Sequence, residues 1–149
     1  MYVLDTNVIS ELRHGKPNQS AQVRAWAADK PVSHLFISAI SILELEKGVL
    51  ALERCTPPQG SALRVWLNGV KANFAGRILP FAGTTATLCA AMHVPNPKSE
   101  RDAMIAATAL EHGMTVVTRN VADFAGTGTK LIDPFLSQQN CHPASASRT

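Results

Sequence analysis

The chain has 149 residues, 46% of them hydrophobic and 17% charged, which suits one domain and is too apolar for a disordered polymer. A net charge of +3 and a pI near 9.0 permit a nucleic-acid partner without requiring one; mean hydropathy is +0.03, and no apolar run nears the ~20 residues that span a bilayer. Three cysteines (Cys55, Cys89 and Cys141) at no metal-ligand spacing argue against a disulfide framework and for small core-filling thiols in a reducing cytoplasm.

Residues 2–4 (YVL) read as a buried strand ending at Asp5-Thr6-Asn7, a cluster of cap formers that opens a helix. Asp5 and Glu11 interrupt what would be the apolar centre of a signal peptide, which predicts no export. Asn18 is placed to cap a helix through about Asp29, with Val23, Trp26 and Ala27 on one stripe and Pro31 as its stop. His34–Ile37 predicts a second strand. Ser38 then caps a long helix in which Ile42, Leu45, Val49 and Leu52 keep 3–4 spacing. Pro57-Pro58 break the chain before another amphipathic helix with Leu63, Trp66, Leu67 and Val70 inward, and RILPF (77–81) predicts a third strand. A short helix near Thr85–Met92 leads to the turn VPNPKSE. Ser99 or Glu100 opens the next helix, and Gly113 closes it at the position that tolerates positive φ. MTVVT (114–118) is the clearest strand, KLID a last short one, and the segment 135–149 is expected to be a loose tail after a single domain over 1–134.

Strands separated by helices predict an α/β fold, a three-layer sandwich with a central parallel sheet flanked by helices. Such sheets carry reactive groups at the carboxyl ends of their strands, where strand order reverses. Asp5 ends the first strand, Asp123 follows the strand MTVVT by five residues, and Asp102 lies in the first turn of its helix, where the dipole favours an anion. Glu44 sits between Leu43 and Leu45, six residues after the cap Ser38. Taken singly, Asp5 and Asp102 also read as ordinary cap acids, Glu44 as a solvated face and Asp123 as a loop cap. Glu46, Glu53 and Glu111 read as solvated helix faces. Together, the four could meet at one sheet edge. Two carboxylates ~5 Å apart repel by about 3 kcal/mol at an effective dielectric of ~20, so a shared pocket calls for a divalent cation, and oxygen ligands favour Mg²⁺ or Mn²⁺. Hard ions among carboxylates suit phosphodiester hydrolysis. No phosphate-binding glycine loop or nucleophile elbow competes, and His14, His34, His93, His112 and His142 are scattered.

The segments LDTNVISEL (4–12), ISAISILELEKGV (37–49), RILPF, ERDAMIAATALEHGMTVVTRN (100–120) and ADF, in that order, resemble the PIN-domain family, and more narrowly the VapC-like toxins with the FitB-type branch. The resemblance runs from Met1 to about Pro134. It implies a PIN-like α/β sandwich and a metal-dependent endoribonuclease, with metal acids at Asp5, Asp102 and Asp123 and Glu44 orienting or deprotonating water. Thr6, Asn7 and Thr118 match positions that support those acids, and Asn120 stands at an alternative place for the fourth. Ala82 replaces an aspartate that relatives often carry as a helix cap, and the stretch 82–102 is short. Arg13, Lys47, Arg64 and Arg119 are candidate phosphate contacts. The resemblance further implies a small VapB-like antitoxin that binds operator DNA through its own domain. It also implies a homodimer through the helices carrying Trp66 or Trp26. A catalytically silent co-repressor module is the alternative; a phosphatase using Asp5 as nucleophile would want an aspartate where Asn7 stands.

Overall fold

The structure, a computed structural model, describes residues 1–136; residues 137–149, with Cys141, His142 and most of the expected tail, lie outside the described residues. The elements in chain order are β1 (Tyr2–Leu4), α1 (Thr6–Glu11), α2 (Ala21–Ala28), β2 (Leu35–Ser38), α3 (Ala39–Cys55), α4 (Pro57–Asn73), β3 (Ile78–Leu79), α5 (Gly83–Met92), α6 (Glu100–Glu111), β4 (Thr115–Val117) and β5 (Leu131–Ile132). Single 3₁₀ turns at Val32–His34 and Val121–Phe124 precede β2 and follow β4.

All five strands run parallel in the order β3-β2-β1-β4-β5. The chain builds outward from β1 on one side, then crosses to the other, so strand order reverses between β1 and β4. Leu4 lies opposite both Ile37 and Val117, which brings the carboxyl ends of β1, β2 and β4 to one level. Side chains alternate faces along each strand. Leu4, Ile37 and Val117 join Val8, Trp26, Leu45, Val49 and Leu67 from α1–α4 in one core, whereas Val3 and Val116 join Ile105, Ala106, Ala109 and Phe124 in the other. This is the three-layer α/β sandwich expected from the order of elements.

Helix α6 is buried on two sides, and its alanines make that fit: Ala106 and Ala109 face the sheet while Ala103 and Ala107 meet Cys89 of α5. Where α3 and α4 meet, Gly60 has no room for a side chain, since a methyl there would stand 2.8 Å from the Leu52 carbonyl carbon. Pro57 and Pro58 do separate these helices, but from within α4, as its first residues, where a missing N–H costs nothing.

Several local expectations change. Asn18 does not cap α2; it takes a left-handed conformation (φ 56°), which its short polar side chain tolerates, and Ser20 caps instead by accepting the Val23 N–H at 3.3 Å. Cys89 is buried, which pushes its thiol pKa up, but Cys55 is exposed at the end of α3 and fills no core. Glu46 and Glu53 are not plain solvated faces: Arg64 of α4 bonds both at 2.8 Å, and Lys71 reaches Glu46 as well. Glu111 likewise accepts the Thr85 hydroxyl at 2.5 Å, tying α6 to α5. Trp26 is buried edge-on against Tyr2 with ring centroids 5.1 Å apart. Phe135, beyond Pro134, still packs against the first core.

Candidate active site

Asp5 terminates β1, its N–H donating to the Val117 carbonyl of β4 at 2.9 Å, so its side chain emerges at the strand switch point. It is completely buried. A charge removed from water needs donors, and this one has four. Oδ1 accepts the Thr6 N–H at 2.7 Å and Arg101 Nη2 at 2.8 Å; Oδ2 accepts Thr118 Oγ1 at 2.8 Å and Asn7 Nδ2 at 3.2 Å. The first of these also caps α1. The second pair comes from either side of the switch point: Asn7 from the first turn of α1, Thr118 from the residue after β4.

Ser38 ends β2 and caps α3 by accepting the Ile40 N–H at 3.0 Å, which sets the helix running from the same edge. The second turn then presents Glu44, half-buried, over Asp5. Asp102 lies in the first turn of α6, nearly buried. Arg101, its neighbour in sequence, draws the three acids together. Its Nη1 bonds Asp102 Oδ1 at 2.7 Å, its Nη2 bonds Asp5 Oδ1, and its Nε bonds Glu44 Oε1.

The electrostatics follow from this crowding. Burial raises the Glu44 and Asp102 carboxyls above their ordinary values; Arg101 pulls both back down, and the neighbouring acids push them up again. Burial disfavours the charged guanidinium of Arg101, but Asp5, Glu44 and Asp102 outweigh it and raise its pKa.

Asp123 lies in the 3₁₀ turn after β4, exposed and outside the Arg101 fork; it acts on the cluster through its charge, which adds to the upward push on Asp102. Asn120 donates its backbone N–H to Thr118 Oγ1 at 3.0 Å. Asn7 Oδ1 accepts the Arg119 N–H at 3.3 Å, linking the turns after β1 and β4. Of the candidate phosphate contacts, Arg64 is committed to Glu46 and Glu53, and the Arg119 guanidinium lies 4.0 Å from the centre of the Phe135 ring.

Two residues escape the sequence reading. One is Arg101. The other is Ser41, fully buried in the first turn of α3, whose Oγ accepts the Thr6 hydroxyl at 3.2 Å and so ties α3 to the start of α1. A second serine three residues after the cap Ser38, inside an apolar turn, was the available signal.

Among the described residues no three His, Cys, Asp or Glu side chains close on a common point by themselves, and no helix is long and apolar enough to cross a membrane. The donor set nonetheless fits a hard cation. The three acids offer only carboxylate oxygens, two of them are nearly or wholly buried, and all three already share one positive group.

Comparison with known proteins places the chain in a family. The PIN domain model matches residues 2–128. The chain is 34% identical over 144 residues to VapC ribonuclease Y4jK of Sinorhizobium fredii, covering 91% of this chain and 98% of that protein. It is 33% identical over 153 residues to toxin FitB of Neisseria gonorrhoeae, covering 91% and 99%. Among solved structures, FitAB bound to an IR36 DNA fragment matches with a TM-score of 0.83 and 31% identity, over 94% of this chain and all of that one. By sequence and by fold, the chain belongs to the PIN-domain family, alongside VapC ribonucleases and the FitB toxin.

Proposed function

We propose that the chain is a Mg²⁺-dependent endoribonuclease, the toxin half of a toxin–antitoxin pair, cutting single-stranded regions of cytoplasmic RNA. One observation carries this reading: three carboxylates from β1, α3 and α6 share a single cation at the switch point of the sheet. The names of the relatives support the chemistry, since two of them are VapC ribonucleases.

Asp5 and Asp102 would hold Mg²⁺ (or Mn²⁺), with Asp123 reaching in from its turn. The bound ion would supply Lewis acidity and a lowered pKa for an attacking water. Glu44 is the more exposed of the three clustered acids, and burial raises its pKa, which suits a group that orients water and takes its proton. Thr6, Asn7 and Thr118 hold the Asp5 carboxylate in one orientation, and Asn120 steadies Thr118 in turn. Arg13, Lys47 and Arg119 remain as candidate phosphate contacts on the RNA.

The partner is a VapB-like antitoxin that contacts operator DNA itself, as supported by the FitAB–DNA complex among the similar structures. A homodimer would use α4, whose Val65 is exposed and whose Trp66 is half-buried, or α2, the helix that carries Trp26. Light scattering at micromolar concentration should give twice the chain mass.

The test is cleavage of a synthetic single-stranded RNA with Mg²⁺ or with chelator. Wild type should cut only with the metal, and Asp5→Asn should reduce cutting to background with its circular dichroism unchanged. Undiminished cleavage by Asp5→Asn refutes the assignment. Absence of cleavage by the wild type would favour a silent co-repressor.

A further inference from the structure

The three acids do not merely lie near Arg101; they engage all three nitrogens of its head group. Nη1, Nη2 and Nε each bond a different carboxylate, on α6, β1 and α3 respectively. The helix end by itself disfavours a cation there. Arg101 is the second residue of α6, at the positive end of the helix dipole, which attracts anions and repels guanidinium. Its side chain is 32% exposed, so solvent reaches it without any movement of the core. Attraction to the acids alone holds it in place, and the long side chain has a route outward.

The geometry points to Arg101 as the resident counter-cation of this pocket, which a divalent ion must displace in order to bind. The proposal rests on the metal-dependent reading above. The competition falls at Asp5, whose two oxygens already accept four hydrogen bonds, so a metal there takes the place of the guanidinium, and like charges would otherwise meet in a poorly solvated pocket. Asp5, with no exposure to water, needs a positive neighbour in either state, so the exchange is one cation for another. Affinity for the ion is then the intrinsic affinity reduced by the fraction of molecules whose arginine has swung out. With about one molecule in ten open, removing the guanidinium should tighten binding by about tenfold.

The test is titration of the full chain with MnCl₂ alone, by calorimetry and by thermal melting. Arg101→Gln should bind Mn²⁺ at least about tenfold more tightly than wild type. Without metal it should melt at a lower temperature, and Mn²⁺ should raise its melting point by more than it raises that of wild type. Arg101→Lys, whose ammonium is a point charge without the planar fork, should fall between them. If Arg101→Gln does not fold without metal, Arg101→Lys decides by the same criterion. Affinity equal to or weaker than wild type in the variants that fold overturns the competition. Absence of Mn²⁺ binding in wild type and variants alike, or binding untouched by Asp5→Asn, overturns the metal reading itself and this proposal with it.

Discussion

Asp5 shows what a wholly buried carboxylate requires: two donors from its own turn, one from the far side of the strand switch and one cation. Thr118 is the most informative of these to alter. Thr118→Val keeps the shape but strips Asp5 Oδ2 of its shorter bond and leaves the Asn120 N–H without its acceptor. Loss of a buried bond to a charge should cost about 1.5–3 kcal/mol in a denaturant melt, and misorienting the carboxylate should lower metal-dependent RNA cleavage ~10–100-fold. Thr118→Ser should restore most of both; a valine variant as stable and active as wild type would show that the hydroxyl does not orient Asp5. At this scale the sequence was informative wherever a residue's neighbours already told its role. Asp5 follows an apolar run, Glu44 interrupts an apolar helix face, and Asp102 opens a helix. Arg101 was silent because a first-turn arginine beside an aspartate looks solvated, and only Glu44, 57 residues away, gives it a partner on α3. Arg64 misled for the same reason, since both of its carboxylates lie on the preceding helix.

Helix and strand types were legible from periodicity, because the cores on both sides of the sheet select opposite faces of each element; boundaries depended on bonds that no local pattern encodes. The start of α2 moved from Asn18 to Ser20 because Glu11, nine residues upstream, binds the Ser20 N–H at 2.5 Å and sets where the helix can begin. Helix α5 makes the complementary case. Its cap position is Ala82, with no oxygen to offer, so only the return bond of a capping box survives: the Ala82 N–H donates to Thr85 Oγ1 at 3.2 Å. Thr85 is itself fixed by Glu111, so the second half of the box is preorganised and the first half is missing. Ala82 is exposed, leaving room for a carboxylate. Ala82→Asp should therefore stabilise the chain by about 0.5–2 kcal/mol in chemical denaturation and leave RNA cleavage unchanged. A destabilised variant would mean that repulsion from Glu111, which Thr85 already binds, outweighs the added cap.

The molecule as a whole unfolds as one body on physical grounds: both cores share the same five strands, so neither can dissolve without the other. Glu11 couples acidity to that event. It is buried at the end of α1, ion-paired to Lys16, and it holds the Ser20 N–H at the start of α2, the helix that delivers Trp26 to the core. The Lys16 bond, then the Ser20 bond, hold its carboxyl below the ordinary glutamate value against the opposing effect of burial. In the window between that lowered value and the ordinary one, the unfolded chain binds the extra proton. Stability from Glu11 is thus fully present above the ordinary glutamate range and disappears as pH falls through the lowered folded value. Glu44 and Asp102 oppose it, since their raised carboxyls favour the folded state on protonation; subtracting a Glu11→Gln variant from wild type cancels them. Urea melts followed by tryptophan fluorescence should show the variant about 1.5–3 kcal/mol less stable near pH 7, where hydrogen bonds to an ionised group are at stake. The gap should shrink steadily on acidification toward about pH 3, below the ordinary carboxylate range. A gap that stays constant across that range would mean that the ionised form of Glu11 contributes nothing, and that the connection between α1 and α2 is held by its backbone alone.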